Sequence, residues 1–203
     1  MLRLYDSKLS GNAWKVRILL TQLGIPFTRV TLDLAKGETA DPAFRAKSRF
    51  ARVPVLELED GRTLVESAAI LLYLADGTKF LPDDPFLRAE VTSWLTFEQA
   101  DLLKGLALPR FWHMRGIADQ MAQRIADYQE GVYPALAKAD EWLATHEWLV
   151  DNRYTIADIG LFGYVAMATQ GGYDMTRFPA LNAWLARVKA EPGWMPLVEE
   201  VSA

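Results

Sequence analysis

Residues 53 to 70 constrain this chain more tightly than any other stretch. Val53-Pro54-Val55-Leu56 reads as a short apolar strand and Asp60-Gly61 as a two-residue hairpin turn. Thr63-Leu64-Val65 is then a second strand, and Ser67-Ala68-Ala69-Ile70 starts a helix with Glu66 just ahead of it. A proline heading an apolar strand has no N–H for a ladder, and its peptide bond can be cis, which would turn the backbone of Val53 outward to pair with a peptide. A helix start offers free N–H groups and the positive end of the dipole to a carboxylate or phosphate. Ser67 adds a hydroxyl there, and Glu66 adds an acceptor for a cation. A carboxylate and an ammonium held side by side describe an amino-acid head group. The plainer alternative makes Pro54 the start of an edge strand and Ser67 a helix cap.

The elements before this segment follow from periodicity. Leu2 to Tyr5 suits a strand, and Gly11-Asn12 leads into a helix with Val16, Leu19, Leu20 and Leu23 on one face, stopped by Gly24 and Pro26. Phe27 to Leu32 alternates and is β-branched, so it forms the second strand, parallel to the first because a helix connects them. Pro42 opens a short helix through Lys47. The order β-α-β-α-β-β-α, with the proline before the third strand, is a thioredoxin-like arrangement.

Ala75-Asp76-Gly77 closes the third helix, and Leu81-Pro82-Asp83-Asp84-Pro85 interrupts both neighbours as a linker. Beyond it the apolar stripes are helical: Val91, Trp94, Leu95 and Leu102; Met121 to Leu143; Leu181, Trp184, Leu185 and Val188. The expected organisation is an α/β N-terminal thioredoxin-like domain at 1–78, a linker at 79–86, and an all-α helical-bundle C-terminal domain at 87–203. Thr155-Ile156-Ala157-Asp158 reads as a capping box opening a helix over 158–169, with Tyr154 placed to staple against Ile159. That assigns Asp158 to folding and not to catalysis.

Composition narrows the chemistry. The chain has no Cys, which excludes disulfides, thiolate metal sites and a cysteine nucleophile of its own. His113 and His146 are the only histidines, so no histidine-based metal centre is expected. A net charge of -4, with basic residues scattered singly, speaks against nucleic acid or an anionic membrane surface as partner. Neither a charged leader nor an apolar run of spanning length is evident, so a cytoplasmic location is the default expectation. Any thiol chemistry must use a thiol brought by the ligand.

Taken in order, the strings Ser10-Gly11-Asn12-Ala13-Trp14-Lys15-Val16-Arg17, Lys36-Gly37-Glu38, Arg52-Val53-Pro54-Val55-Leu56, Glu66-Ser67, Thr155-Ile156-Ala157-Asp158 and Phe178-Pro179-Ala180-Leu181 resemble those of a cytosolic glutathione transferase over essentially the full length. The resemblance implies a glutathione transferase that conjugates the glutathione thiolate to a small hydrophobic electrophile. A glutathione-dependent peroxidase or disulfide reductase is the alternative on the same site, and a non-catalytic binding protein of the same fold is the third reading. Val53, ahead of a cis Pro54, would hold the cysteinyl part of glutathione, and Glu66 and Ser67 its γ-glutamyl end. Ser10, or failing it Asn12, would act catalytically by pointing at the sulfur from the start of the first helix. Lys36, Thr39 and Arg52 lie where the family often binds the glycine carboxylate. Phe111, Trp112 and Met114 would line the electrophile pocket, whereas Trp94 fits a core stripe better. Before Val53 the family commonly has an Asn-Pro pair and a glycine, where this chain has Ser48-Arg49 and Ala51. Tyr5 lies inside the first strand, so the tyrosine-type classes are disfavoured and a bacterial-type serine or asparagine active site remains. The implied partners are glutathione as co-substrate, a small electrophile, no metal and a second copy of the chain. Phe50, between Arg49 and Arg52, is a candidate dimer contact, and Glu98 and Asp101 could approach the γ-glutamyl amine from the partner subunit.

Overall fold

Alternation of side chains across a strand fixes the first layer. β1 (Leu2–Asp6) pairs in parallel with β2 (Phe27–Thr31), and α1 (Gly11–Gln22) makes the crossover between them. Ser10 caps α1, and Gly24, at φ 65°, reverses the chain after it. The computed structural model describes residues 1–198. After two 3₁₀ turns at Leu34–Lys36 and Glu38–Ala40 comes α2 (Pro42–Arg45), followed by β3 (Val55–Glu57), β4 (Thr63–Val65) and α3 (Ser67–Ala75). The strand order is β2-β1-β3-β4, with β3 antiparallel to both neighbours. Tyr5, Val55, Val65 and Phe44 form a buried cluster with Val30, Leu32 and Val53 packed on it. Leu4 and Leu56, one residue along, are buried on the opposite face. This is the thioredoxin-like arrangement expected from the sequence.

The chain divides into two compact units, one comprising residues 1–76 with the described residues from Glu191 on, and the other Gly77–Ala190. In the second unit Asp84 caps α4 (Pro85–Phe97), with Pro85 in its first turn. A π-helical turn, Glu98–Leu102, carries the chain into α5 (Leu103–Met114), and α6 (Ala122–Leu143), α7 (Ile156–Val165) and α8 (Pro179–Ala190) follow. Among the described residues this unit holds no strand, only an isolated bridge between Val150 and Arg153. No described helix is long and apolar enough to cross a membrane.

The α7 capping box is present, and it is buried. Asp158 Oδ2 accepts from the Thr155 N–H at 2.9 Å and the Thr155 hydroxyl at 3.3 Å, while Oδ1 accepts from Leu149 N–H at 3.2 Å and Trp184 Nε1–H at 2.9 Å. Because Thr155 is the cap, the helix begins at Ile156, two residues before the expected start, and it ends at Val165 instead of 169. Tyr154 meets Phe80 edge-on and Trp148 at a tilt.

The last described residues were expected within the helical domain and pack instead in the first unit. Trp14 Nε1 donates to the Met195 carbonyl and Arg17 Nη2 to the Leu197 carbonyl, both at 2.8 Å. Trp194 meets Trp14 edge-on, and Gly193, at φ 78°, lies so close to Gln22 that a Cβ would stand 3.2 Å from its Cα. Residues 199–203 of the expected helical domain lie outside the described residues.

Candidate functional site

Register places the candidate residues at one end of the first unit's sheet. Tyr5 and Val65 both pair with Val55 in antiparallel ladders, so the chain leaving β1, the chain entering β3 and the chain leaving β4 lie at the same end. β2 runs parallel to β1, so the loop carrying Lys36 and Thr39 leaves from that end too. Ser10, Asn12, Val53, Pro54, Glu66 and Ser67 therefore come from three separate segments of one rim.

At the head of α1, Ser10 Oγ accepts the Ala13 N–H at 3.2 Å, which makes Ser10 the helix cap. That bond uses a lone pair, and the hydroxyl proton remains to donate. Two turns of sequence meet at Asn12. Its Oδ1 accepts from Lys15 Nζ at 2.9 Å and from Ser67 Oγ at 3.4 Å. Since an ammonium only donates, the oxygen of the Asn12 amide is the atom facing Lys15, and Nδ2 is left as the donor edge. Ser67 is buried at the first position of α3, so its hydroxyl ties the head of α3 to the head of α1. Glu66, exposed beside it, holds φ 72°, a left-handed conformation uncommon for a residue with a Cβ.

The Val53-Pro54 peptide is cis. Val53 makes no backbone hydrogen bond to another described residue, while its side chain packs on the Tyr5, Phe44, Val55 and Val65 cluster. The turn before it, Ser48 to Arg52, closes through a side chain. Ser48 is buried; its hydroxyl accepts the Arg52 N–H at 3.1 Å and donates to the Arg52 carbonyl at 3.0 Å, and Ala51, bonded back to the Ser48 carbonyl, adopts φ 51°.

The three candidates for a terminal carboxylate differ in their surroundings. Lys36 is exposed and 3.7 Å from Asp33, the residue capping its own 3₁₀ turn. Thr39 is half-buried in the next turn. Arg52 is exposed and makes no ion pair with a described residue. Phe111, Trp112 and Met114 belong to the second unit, at the end of α5. Phe111 and Met114 are about half exposed, and Trp112 is buried against Tyr128 at 6.0 Å between ring centroids. Trp94 contacts Phe97 and Trp142. Glu98 is buried within its own chain, whereas Asp101, three residues on, is exposed.

Sequence reasoning passed over Lys15. The signal was there: a lysine and an arginine at 15 and 17 sit among the apolar positions of α1, and both are fully buried. Arg17 and Arg29 approach the buried Asp6 carboxylate at 3.3 and 2.6 Å.

Comparison with known proteins matches this geometry to a family. The model of the glutathione S-transferase N-terminal domain matches residues 4–78, and that of the glutathione S-transferase C-terminal domain residues 100–192. The disulfide-bond oxidoreductase YfcG of Escherichia coli (strain K12) is 29% identical over 189 residues, covering 89% of this chain and 87% of that protein. Glutathione S-transferase theta-1 of Mus musculus is 30% identical over 206 residues, covering 95% and 84%. The crystal structure of a glutathione S-transferase from Pseudomonas fluorescens Pf-5 superposes with a TM-score of 0.95 at 37% identity, covering 98% of this chain and 99% of that one.

Proposed function

Because this chain belongs to the glutathione S-transferase family, we propose that the rim of its first unit binds glutathione, ionises its thiol and directs the thiolate onto a small hydrophobic electrophile. The observation that carries the reading is the Asn12–Ser67 hydrogen bond, which brings the head of α1 and the head of α3 together. Two helix starts then face one ligand, one favouring a thiolate and the other a carboxylate. The unpaired N–H and C=O of Val53 take the cysteinyl backbone, as one added strand residue would. Ser67 and the free N–H groups of α3 take the γ-glutamyl carboxylate, and Glu66 takes its ammonium. Arg52, with its charge uncommitted, is the best placed of the three for the glycine carboxylate, ahead of Lys36 and Thr39.

Thiol activation follows from charge. A thiol of ordinary pKa, about 8.5, is only a few per cent ionised at neutral pH, so donors at the sulfur raise the reactive fraction. Ser10 offers a hydroxyl and Asn12 an amide, both beside the positive end of α1. The thiolate then attacks the electrophilic carbon, the new C–S bond forms, and the leaving group departs with the electron pair.

The similarity to YfcG favours disulfide reduction as the second reading. With no cysteine in the chain, that reaction uses two glutathiones, one thiolate displacing a thiol from the disulfide and the second releasing the other to give oxidised glutathione. We place the protein in the cytoplasm as a homodimer in detoxification, with the half-exposed Phe50 ring, covered on one side by Arg49 at 5.0 Å, at the subunit contact. Calorimetric titration with glutathione, followed by turnover of an aryl halide, a hydroperoxide and a mixed disulfide, tests the assignment. Binding with aryl halide turnover supports conjugation, turnover of the disulfide alone supports the second reading, and binding without turnover leaves a glutathione-binding protein. A monomeric mass by light scattering at micromolar concentration would remove the dimer.

A further inference from the structure

We infer that Lys15 is a positioning residue for the thiol site, holding the Asn12 amide so that its N–H₂ edge faces the sulfur; this rests on the glutathione reading above. Lys15 is 1% exposed, although it lies only one turn from the rim of the sheet. An ammonium withdrawn from water is stable only among acceptors, and the Asn12 Oδ1 is one of them at 2.9 Å. The resulting bond is charge-assisted and fixes which end of the amide is which. Asn12 is itself half-buried, and its Nδ2 has no acceptor among the described residues. The amide is therefore gripped at one end and open at the other.

Two consequences separate Lys15 from a merely structural lysine. A cation on the carbonyl oxygen polarises the amide and makes Nδ2–H the stronger donor, so Lys15 reaches a bound thiolate through Asn12. Ser10 is bonded to the Ala13 N–H and not to Lys15. Lys15 and Asn12 act as one unit, and Ser10 acts independently. Ser67 also bonds Oδ1, at the longer distance of 3.4 Å. When Ser67 turns to a ligand carboxylate, Lys15 is what keeps the amide from rotating.

The test is a double-mutant cycle of Lys15→Met, which keeps the stem and removes the donor, with Asn12→Ala. The readouts are the thiolate absorbance of bound glutathione at pH 7, its Kd, and kcat and KM for an aryl halide. Lys15→Met is expected to lower thiolate absorbance and to reduce kcat about tenfold, with the glutathione Kd within about threefold. It should have no further effect once Asn12 is Ala, and Lys15→Arg should restore most of kcat. Equal losses from Lys15→Met in both backgrounds, or a change confined to Kd and melting temperature, would overturn the proposal. A silent Asn12→Ala beside a damaging Ser10→Ala would also overturn it while leaving glutathione chemistry intact. The Asn12 side-chain amide resonances of the free protein give a readout that needs no glutathione: they should shift in Lys15→Met and hold in Ser10→Ala. That result in a protein that fails to bind glutathione would defeat the functional reading and not the positioning role, and unshifted resonances would defeat the role alone.

Discussion

Ala51 holds φ 51° in the turn ahead of Val53, a conformation that brings a Cβ too close to the following carbonyl and costs about 1–2 kcal/mol. Glycine escapes that cost but loses about 0.5–1 kcal/mol more entropy on folding. Ala51→Gly should therefore stabilise the protein by about 0.5–1 kcal/mol and raise its melting temperature by about 2 °C, with glutathione affinity unchanged because Ser48 still brackets Arg52. A lower melting temperature would mean that Ala51 is not strained. Glu66 at φ 72° is the other non-glycine on the rim in this region of backbone space, and the two positions flank the segment proposed to receive the ligand. These single residues show where sequence reading stops. That Val53, Glu66 and Ser67 belong to one region could be read from strand, turn and helix-start signals within twenty residues. That Asn12 bonds Ser67 could not, because the bond joins residues 55 apart and depends on how two helices pack. Lys15 sits among apolar positions of its helix, but its bond to Asn12 is seen only in the folded chain.

Element scale is where the sequence spoke most clearly, since a capping box is a local pattern with a local cause. Its depth is a tertiary fact. Removing the Asp158 carboxylate strands the Thr155 and Leu149 N–H groups and the Trp184 indole N–H, all buried, at about 1–3 kcal/mol each. Asp158→Ala should cost about 3–5 kcal/mol in denaturant unfolding, well above the roughly 1 kcal/mol of an exposed cap. A loss near 1 kcal/mol would show that those donors find other acceptors. Burial also pushes the Asp158 carboxyl up to about 6 against the pull of its four donors. The folded protein then keeps a proton between about pH 4 and 6 that the unfolded chain has released. The contribution is greatest below pH 4 and falls by about 3 kcal/mol as pH rises through 6. The stability of the wild type relative to Asp158→Asn, whose side chain does not titrate, should accordingly decline between pH 4 and 7, and a flat difference would contradict it. Helix α7 starts two residues before its expected first residue, directly after the Thr155 cap, and ends four residues early at Val165, and the π turn at 98–102 leaves no signature in a stripe that runs straight through it.

Across the whole molecule, residues 77–190 are an insertion between two parts of the first unit, because the chain after α8 comes back to α1. Periodicity cannot report such a return, since Trp14 and Arg17 choose carbonyl partners 181 and 180 residues away. Deleting residues from Glu191 onward should expose α1, leaving a buried indole and a buried guanidinium each short of an acceptor. Amide exchange across Gly11–Gln22 should speed by at least tenfold while that of α7 in the other unit stays as it was. Unaltered exchange in α1 would show that the return segment adds nothing to it. The ribosome gives the same arrangement a direction in time. Chains emerge from their N-terminus, so α1 appears early, yet the carbonyls that complete its surroundings are made only after the entire helical unit has been translated. Newly made protein must hold Arg17 and Trp14 without those two acceptors through most of its synthesis, and the helix that carries Ser10 and Asn12 gains its last partners at the end of translation.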